Sequence, residues 1–191
     1  MKAVVFDVGE TLIDETRMWE RAADVAGVPR FTLMGVLGGL AARREHHDRV
    51  WGILGVEHPA SSWGPEDFYD DALPCLDALR GRGMRVGAVG NTPLETEELL
   101  REHVDVLGSS GRWGVEKPAP EFFDRVLETV ELAPDEVAYV GDRVDNDVEP
   151  ALAAGMVAVH VRRGPWGYLH EPPAAAIRIG SLAELREALG V

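Results

Sequence analysis

The chain of 191 residues is 46% hydrophobic and 27% charged, which suits one well-buried core with a modest insertion and excludes wholesale disorder. Its formal net charge is −14, from 33 acidic and 19 basic residues, and no basic stripe offsets it. Neither nucleic acid nor an anionic membrane surface is therefore an expected partner. A single cysteine, Cys75, rules out an intrachain disulfide or a cysteine-based zinc site and fits cytoplasmic residence.

In chain order, Lys2–Val8 is a valine-rich apolar run, the pattern of a strand buried on both faces of a parallel sheet. Asp7 interrupts it too early for a signal peptide or a membrane span. From about Asp14 to Asp70 no strand pattern occurs. Helical patches at Arg17–Ala26 and Phe31–Val50 predict a small helical insertion. Apolar runs then follow at Met84–Val89, Val104–Leu107, Val137–Val140, Val157–Val161 and Ala176–Ile179. Helical patterns alternate with them at Leu94–His103, Pro120–Leu132, Asn146–Ala154 and Leu182–Leu189. The first and last of these open on the capping boxes Thr92-Pro93-Leu94-Glu95 and Ser181-Leu182-Ala183-Glu184. The alternation predicts an α/β fold with a doubly wound parallel sheet. Residues 1–13 and 71–191 are expected to form its core and residues 14–70 a helical cap insertion.

Ligands of open parallel sheets bind outside the carboxyl ends of the strands. The residues expected there are Asp7-Val8-Gly9-Glu10-Thr11, then Gly90-Asn91-Thr92, then Ser109-Ser110 with Lys117-Pro118, then Gly141-Asp142 through Asp147. Carboxylates gathered on one rim repel each other unless a cation joins them. An oxygen-rich, sulfur-free donor set suits Mg2+.

This order of motifs resembles the haloacid dehalogenase superfamily, whose members are mostly magnesium-dependent phosphatases, and the likeness covers nearly the whole chain. A strand ending in Asp-x-Asp-x-Thr/Val looks like Asp7-Val8-Gly9-Glu10-Thr11. The apolar strand ending in Ser or Thr looks like Val89-Gly90-Asn91. The Lys-Pro pair opening a helix matches Lys117-Pro118, and Gly-Asp followed by a further acid matches Gly141-Asp142 through Asp147. The resemblance implies that Asp7 attacks phosphorus to form an aspartyl-phosphate. It implies magnesium held by Asp7, the Gly9 carbonyl and Asp142, with Asp147 in or beside that shell. Lys117 would offset negative charge. Backbone N–H groups of Val8–Gly9 and Gly90–Asn91 would cradle the phosphoryl oxygens of a small phosphorylated substrate.

Two positions depart from the pattern. Gly9 stands where the family has an aspartate that protonates the leaving group, a contribution worth roughly 10²–10⁴ in rate. Glu10 is adjacent, but its backbone position points another way. Gly90 replaces the second-motif hydroxyl, and Thr92 reads as a helix N-cap rather than a substitute. A slow phosphatase is the expected outcome. A halocarboxylic acid dehalogenase and a catalytically silent phosphate or partner binder are the alternatives; retention of Asp142 and Asp147 weighs against the first, and of Asp7, Lys117 and Asp142 against the second. A phosphosugar mutase would lean on the acid that Gly9 lacks. Asp145, the Arg43-Arg44 and His46-His47 pairs, Trp63, Trp113, Trp166 and Cys75 read as solvated or packing residues. Arg17 has a slightly better claim to touch an anion.

Overall fold

The computed structural model describes residues 1–191. Six strands, β1 (Ala3–Phe6), β2 (Arg85–Gly90), β3 (Val106–Ser109), β4 (Val137–Gly141), β5 (Val157–Val161) and β6 (Ile177–Ile179), form one sheet. All are parallel, in the order β3-β2-β1-β4-β5-β6. The reversal of strand order falls between β1 and β4, where Val4 pairs with both Val86 and Ala138. The loops after these two strands diverge to opposite faces and leave a crevice at their carboxyl ends.

The apolar runs are continuous because both faces are covered. Val4, Phe6, Ala138, Val140, Val159 and Val161 point to one layer. Leu76 and Leu79 of α4 (Ala72–Arg80) and Leu185 of α10 (Leu185–Leu189) meet them there. Ala3, Val5, Val137 and Tyr139 point to the other, against Phe122, Phe123, Val126 and Val130 of α7 (Pro120–Val130) and Ala151 of α8 (Glu149–Ala153). Each large side chain fully buried here contributes about 1.5–3 kcal/mol. No single helix is long and apolar enough to cross a membrane.

The segment between β1 and α4 is helical, as expected, but in three pieces: α1 (Thr16–Ala26), α2 (Arg30–Ala42) and α3 (Arg49–Leu54). The predicted helix over Phe31–Val50 breaks after Ala42, where Arg44 takes a positive φ of 55°. The run Arg43–Asp48 offers no apolar side chain to bury, so nothing holds that stretch to helical geometry. The pieces share an apolar cluster of Trp19, Leu33, Leu37, Leu40 and Trp51. Trp166 of α9 (Gly164–Leu169), which follows β5, joins it. His170 Nε2 lies 2.6 Å from the Ala41 carbonyl, so α9 docks the helical segment onto the sheet layer.

Two further boundaries differ from expectation. The helix predicted over Leu94–His103 shrinks to α5 (Thr96–Leu100). Thr92 does not cap it: its carbonyl accepts from Gly111 N at 3.1 Å and Ser110 Oγ at 3.2 Å, which ties it to the short α6 (Ser110–Trp113). Asn146–Ala154 begins one element earlier, with a wide π turn over Val144–Val148 before α8. Ser181 does cap as predicted, accepting from Ala183 N at 3.1 Å.

Candidate active site

The loop after β1 folds back on the Val8 carbonyl, which accepts from Leu12 N at 2.9 Å and Ile13 N at 3.0 Å. Its internal bonds are donated by Glu10, Thr11, Leu12 and Ile13, none by Val8 or Gly9. Glu10 takes a positive φ of 51°, a conformation that costs a non-glycine residue about 1–2 kcal/mol. The turn sends its side chain to Tyr69, whose hydroxyl donates to Glu10 Oε2 at 2.5 Å. Arg163, past β5, donates to the Thr11 carbonyl at 2.7 Å and pairs with Asp71, anchoring the loop from behind.

Asp7 emerges from this loop beside the ends of β2 and β4. A Cβ on Gly90 would lie 3.0 Å from Asp7 Oδ1 and 3.2 Å from Val8 Cγ2, so the second-motif position is small where the carboxylate passes it. Lys117, 3% exposed, places Nζ 2.6 Å from Asp7 Oδ1 and 2.6 Å from Asp147 Oδ1. Asn91 holds the lysine's main chain: Lys117 N donates to Asn91 Oδ1 at 2.7 Å, and Asn91 Nδ2 donates to the Lys117 carbonyl at 2.9 Å.

Asp147 owes its aim to the π turn. Its Oδ2 accepts from Arg143 N at 3.0 Å, leaving Oδ1 for Lys117. A Cβ on Gly141 would fall 2.5 Å from the Asp147 carboxyl, so the glycine before Asp142 makes room for the second acid. Asp142 is buried, and His160 on β5 contacts its main-chain carbonyl through Nε2 at 3.0 Å. Carboxylate oxygens of Asp7, Asp142 and Asp147 all lie within 4.8 Å of one another.

The electrostatics follow from burial. Burial, with Asp147 close by, pushes the Asp7 carboxyl up to about 6 despite Lys117. Burial and the Asp147 and Asp7 charges hold Asp142 well above the carboxylate range. For Lys117 burial acts downward, but Asp147 and Asp7 outweigh it and keep the ammonium well above its ordinary value. Three buried acids thus share one buried ammonium, and the nearby Arg143 is paired with Asp145, a deficit of positive charge.

The structure brings together Asp7, Gly9, Asn91, Lys117 and Asp142 on one cleft of about 230 Å³. Gly90 touches Asp7 from below, Val8 sits buried in the same loop, and Asp147 stands behind Lys117. Arg17 is not there: its guanidinium pairs with Asp67 at 3.1 Å and donates to the Glu66 carbonyl. Of the residues expected only to pack or face solvent, Trp113 does pack, against Phe122. Trp63 and Trp166 pack too, against the sheet core and the helical cluster, and together with His46 and His47 they also line the cleft. Burial and the neighbouring His46 push His47 down to about 4, so it is neutral near pH 7. Glu15, which sequence reasoning passed over, also lines the cleft. Burial, Glu10 and Asp7 push its carboxyl up to about 8. The cleft opens into a second cavity of about 470 Å³ lined by Met18, Trp19, His58, Trp63 and Leu99, with Glu15 on the wall of both.

This arrangement sets the Asp7 carboxylate between a fixed cation and a further acidic pair, in a cleft with room for a small anionic group. Comparisons with known proteins give the family. The model of the haloacid dehalogenase-like hydrolases matches residues 1–155. The glyceraldehyde 3-phosphate phosphatase of Methanopyrus kandleri is 40% identical over 106 residues, 51% of this chain and 45% of that protein. The phosphoserine phosphatase of Thermus thermophilus is 37% identical over 132 residues, 64% of this chain and 52% of that protein. The chain spans about half the length of these curated relatives. The crystal structure of a HAD phosphatase from Thermococcus onnurineus superposes with a TM-score of 0.68 at 24% identity, covering 100% of this chain and 98% of that one. With the fold, the ordered motifs and the family match in agreement, this chain belongs to the haloacid dehalogenase-like hydrolases.

Proposed function

We propose that this chain hydrolyses small phosphate monoesters through an aspartyl-phosphate on Asp7, with Mg2+ as cofactor. The observation that carries the reading is the Lys117 ammonium, 2.6 Å from both Asp7 and Asp147, with Asp142 beside them. A nucleophilic carboxylate is useful against a phosphate dianion only if positive charge meets the incoming oxygens.

The donors fit magnesium. They are all oxygens, gathered within 4.8 Å and buried, and one lysine does not balance them. The Asp7 and Asp142 carboxylates and the Gly9 carbonyl would hold the ion. Both Asp147 oxygens already accept from Lys117 and Arg143, which supports an orienting place behind them. Bound there, the ion supplies the charge that lets an anionic ester approach this acidic rim.

The chain's own residues do the rest. Asp7 attacks phosphorus in line and releases the alcohol. Lys117 neutralises Asp7 between turnovers and the transferring group during them. Main-chain N–H groups of Val8, Gly9, Gly90 and Asn91 cradle the phosphoryl oxygens. The helical segment over residues 14–70 serves as a cap that excludes water and sorts leaving groups. The second cavity has no lysine or arginine on its wall, whereas Glu15, Asp48 and Glu95 do line it. A leaving group that is neutral or cationic fits it, and one carrying a carboxylate does not.

Phosphate release from a panel of small monoesters, with magnesium and with chelator, tests this reading, with Asp7→Asn as the blank. Magnesium-dependent release that Asp7→Asn lowers by at least about 10⁴-fold is expected. No release above the blank, from a folded chain that binds magnesium, would replace it with the silent-binder reading. Retention of Asp142 and Asp147 speaks against halocarboxylate dehalogenation, which needs no metal.

A further inference from the structure

The family's acid–base aspartate is missing at Gly9, and something fills its place. A Cβ built on Gly9 would overlap Glu15 Oε1 and lie 3.1 Å from the Glu15 carboxyl carbon. The volume that a side chain at position 9 would enter is therefore occupied by a carboxyl group from the residue just before α1, at the entry to the cap segment. Trp19 Nε1 fixes it, donating to Glu15 Oε2 at 3.1 Å, and leaves Oε1 facing Gly9. The Glu15 main chain is pinned as well, its N–H donating to Glu10 Oε1 at 3.2 Å.

The location suits proton transfer to a leaving group. Glu15 is on the wall shared by the Asp7 cleft and the second cavity, where the bond between phosphorus and the leaving oxygen must lie. Glu10, the nearer neighbour in sequence, cannot serve: one oxygen accepts from Tyr69 and the other from the Glu15 amide. His47, also on that wall, sits among Trp19, Trp166 and His46.

We propose that Glu15 is the general acid and base of this enzyme, a role displaced from position 9 onto the entry to the cap. The inference rests on the phosphatase reading above. In the first step the Asp7 oxygen forms its bond to phosphorus as the ester P–O bond breaks. The Glu15 proton passes to the departing alkoxide, which leaves as alcohol. In the second step the Glu15 carboxylate takes a proton from water, whose oxygen bonds to phosphorus as the Asp7–phosphorus bond breaks. Inorganic phosphate leaves, with Asp7 ionised and Glu15 protonated as at the start.

The discriminating experiment compares Glu15→Gln with the unsubstituted chain on two esters. One is 4-nitrophenyl phosphate, whose phenolate departs without a proton. The other is the alkyl ester turned over fastest in the panel. With 4-nitrophenyl phosphate the variant should keep its rapid first release of about one nitrophenol per chain and then stall. On the alkyl ester it should lose roughly 10²–10⁴-fold in kcat. Undiminished alkyl-ester turnover, or an equal loss in the first release from both esters, would overturn the proposal. A second pair of variants guards against a folding defect. Gly9→Asp combined with Glu15→Ala should regain activity over Glu15→Ala alone, because the vacated volume then admits the aspartate. Gly9→Asp with Glu15 retained should not exceed the unsubstituted chain. A double variant no better than Glu15→Ala would count against the shared place. An unsubstituted chain inert towards both esters would remove the phosphatase reading and this inference together.

Discussion

Asn91 grips the main chain of Lys117 from both sides, accepting from its N–H at 2.7 Å and donating to its carbonyl at 2.9 Å. The residue after β2 thereby sets where the loop after β3 presents its ammonium. Asn91→Ala should lower turnover by about 10–100-fold, since a small misplacement of a catalytic group is costly. Two neutral hydrogen bonds, each worth about 0.5–1.5 kcal/mol, set the stability loss at about 1–3 kcal/mol. Steady-state kinetics beside a thermal melt would separate the effects: a kcat unchanged by Asn91→Ala would deny it a positioning role.

Magnesium should stabilise the chain more in neutral than in mildly acidic solution. Burial holds Asp7 up at about 6 and Asp142 well above the carboxylate range. Between the ordinary carboxylate value of about 4 and those raised values, the folded metal-free chain binds more protons than the unfolded one. Its stability therefore falls as pH rises through that window. Metal takes the deprotonated carboxylates, so its contribution grows across the same window. At 100 times its Kd it should add about 2.7 kcal/mol. Melts in magnesium and in chelator at about pH 5 and about pH 7.5 would show it; equal shifts at both would contradict the assignment.

Arg163 ties three parts of the chain together. It donates to the Thr11 carbonyl, pairs with Asp71 and lies 4.1 Å from the centre of the Tyr69 ring. Asp71 also accepts from Ser181 Oγ at 2.6 Å and Leu182 N at 2.9 Å, so removing the arginine leaves a carboxylate that is still partly satisfied. Arg163→Ala should cost about 2–4 kcal/mol, at the lower side of a broken buried pair. Denaturant unfolding reads this directly. A loss under about 0.5 kcal/mol would mean that the motif loop holds its shape without it.

Cys75 should be inert. Burial, with Asp71 nearby, pushes its thiol up to about 12, so thiolate is scarce at neutral pH. A disulfide reagent should leave the native chain unlabelled and react with one thiol per chain in denaturant. Rapid labelling of the folded protein would show that α4 opens readily.

Much of the site was readable from residue order because strand ends in a parallel sheet are adjacent by construction. Once Lys2–Val8, Met84–Val89 and Val137–Val140 read as buried strands, Asp7, Gly90 and Asp142 had to meet on one rim. The pattern of apolar runs and their flanking acids is local information, and the sheet's regular spacing carries it into three dimensions. Helix ends were less accessible. Thr92-Pro93-Leu94-Glu95 looks like a capping box, yet the Thr92 carbonyl is drawn to Gly111 and Ser110, a tertiary attraction that no local pattern encodes. The break after Ala42 was visible in principle, in the polar run Arg43–Asp48.

Determined by the sequence alone were the layered parallel fold, the helical segment after the first strand and the acids and lysine of the rim, because each rests on periodicity or on a position next to a strand end. Only the tertiary structure decided which side chains the helical segment delivers to that rim. His47 and Trp63 reach it because helices of irregular length pack around Trp19 and Trp51, where Trp166 of α9 meets them. Glu15 reaches the space above Gly9 because the β1 loop curls back on Val8 and Trp19 catches the carboxyl. Glu15 lies six positions after Gly9 along the chain, and no spacing rule relates them. Their juxtaposition depends on the geometry of one turn and the packing of one helix, and these exist only once the rest of the molecule has folded around them.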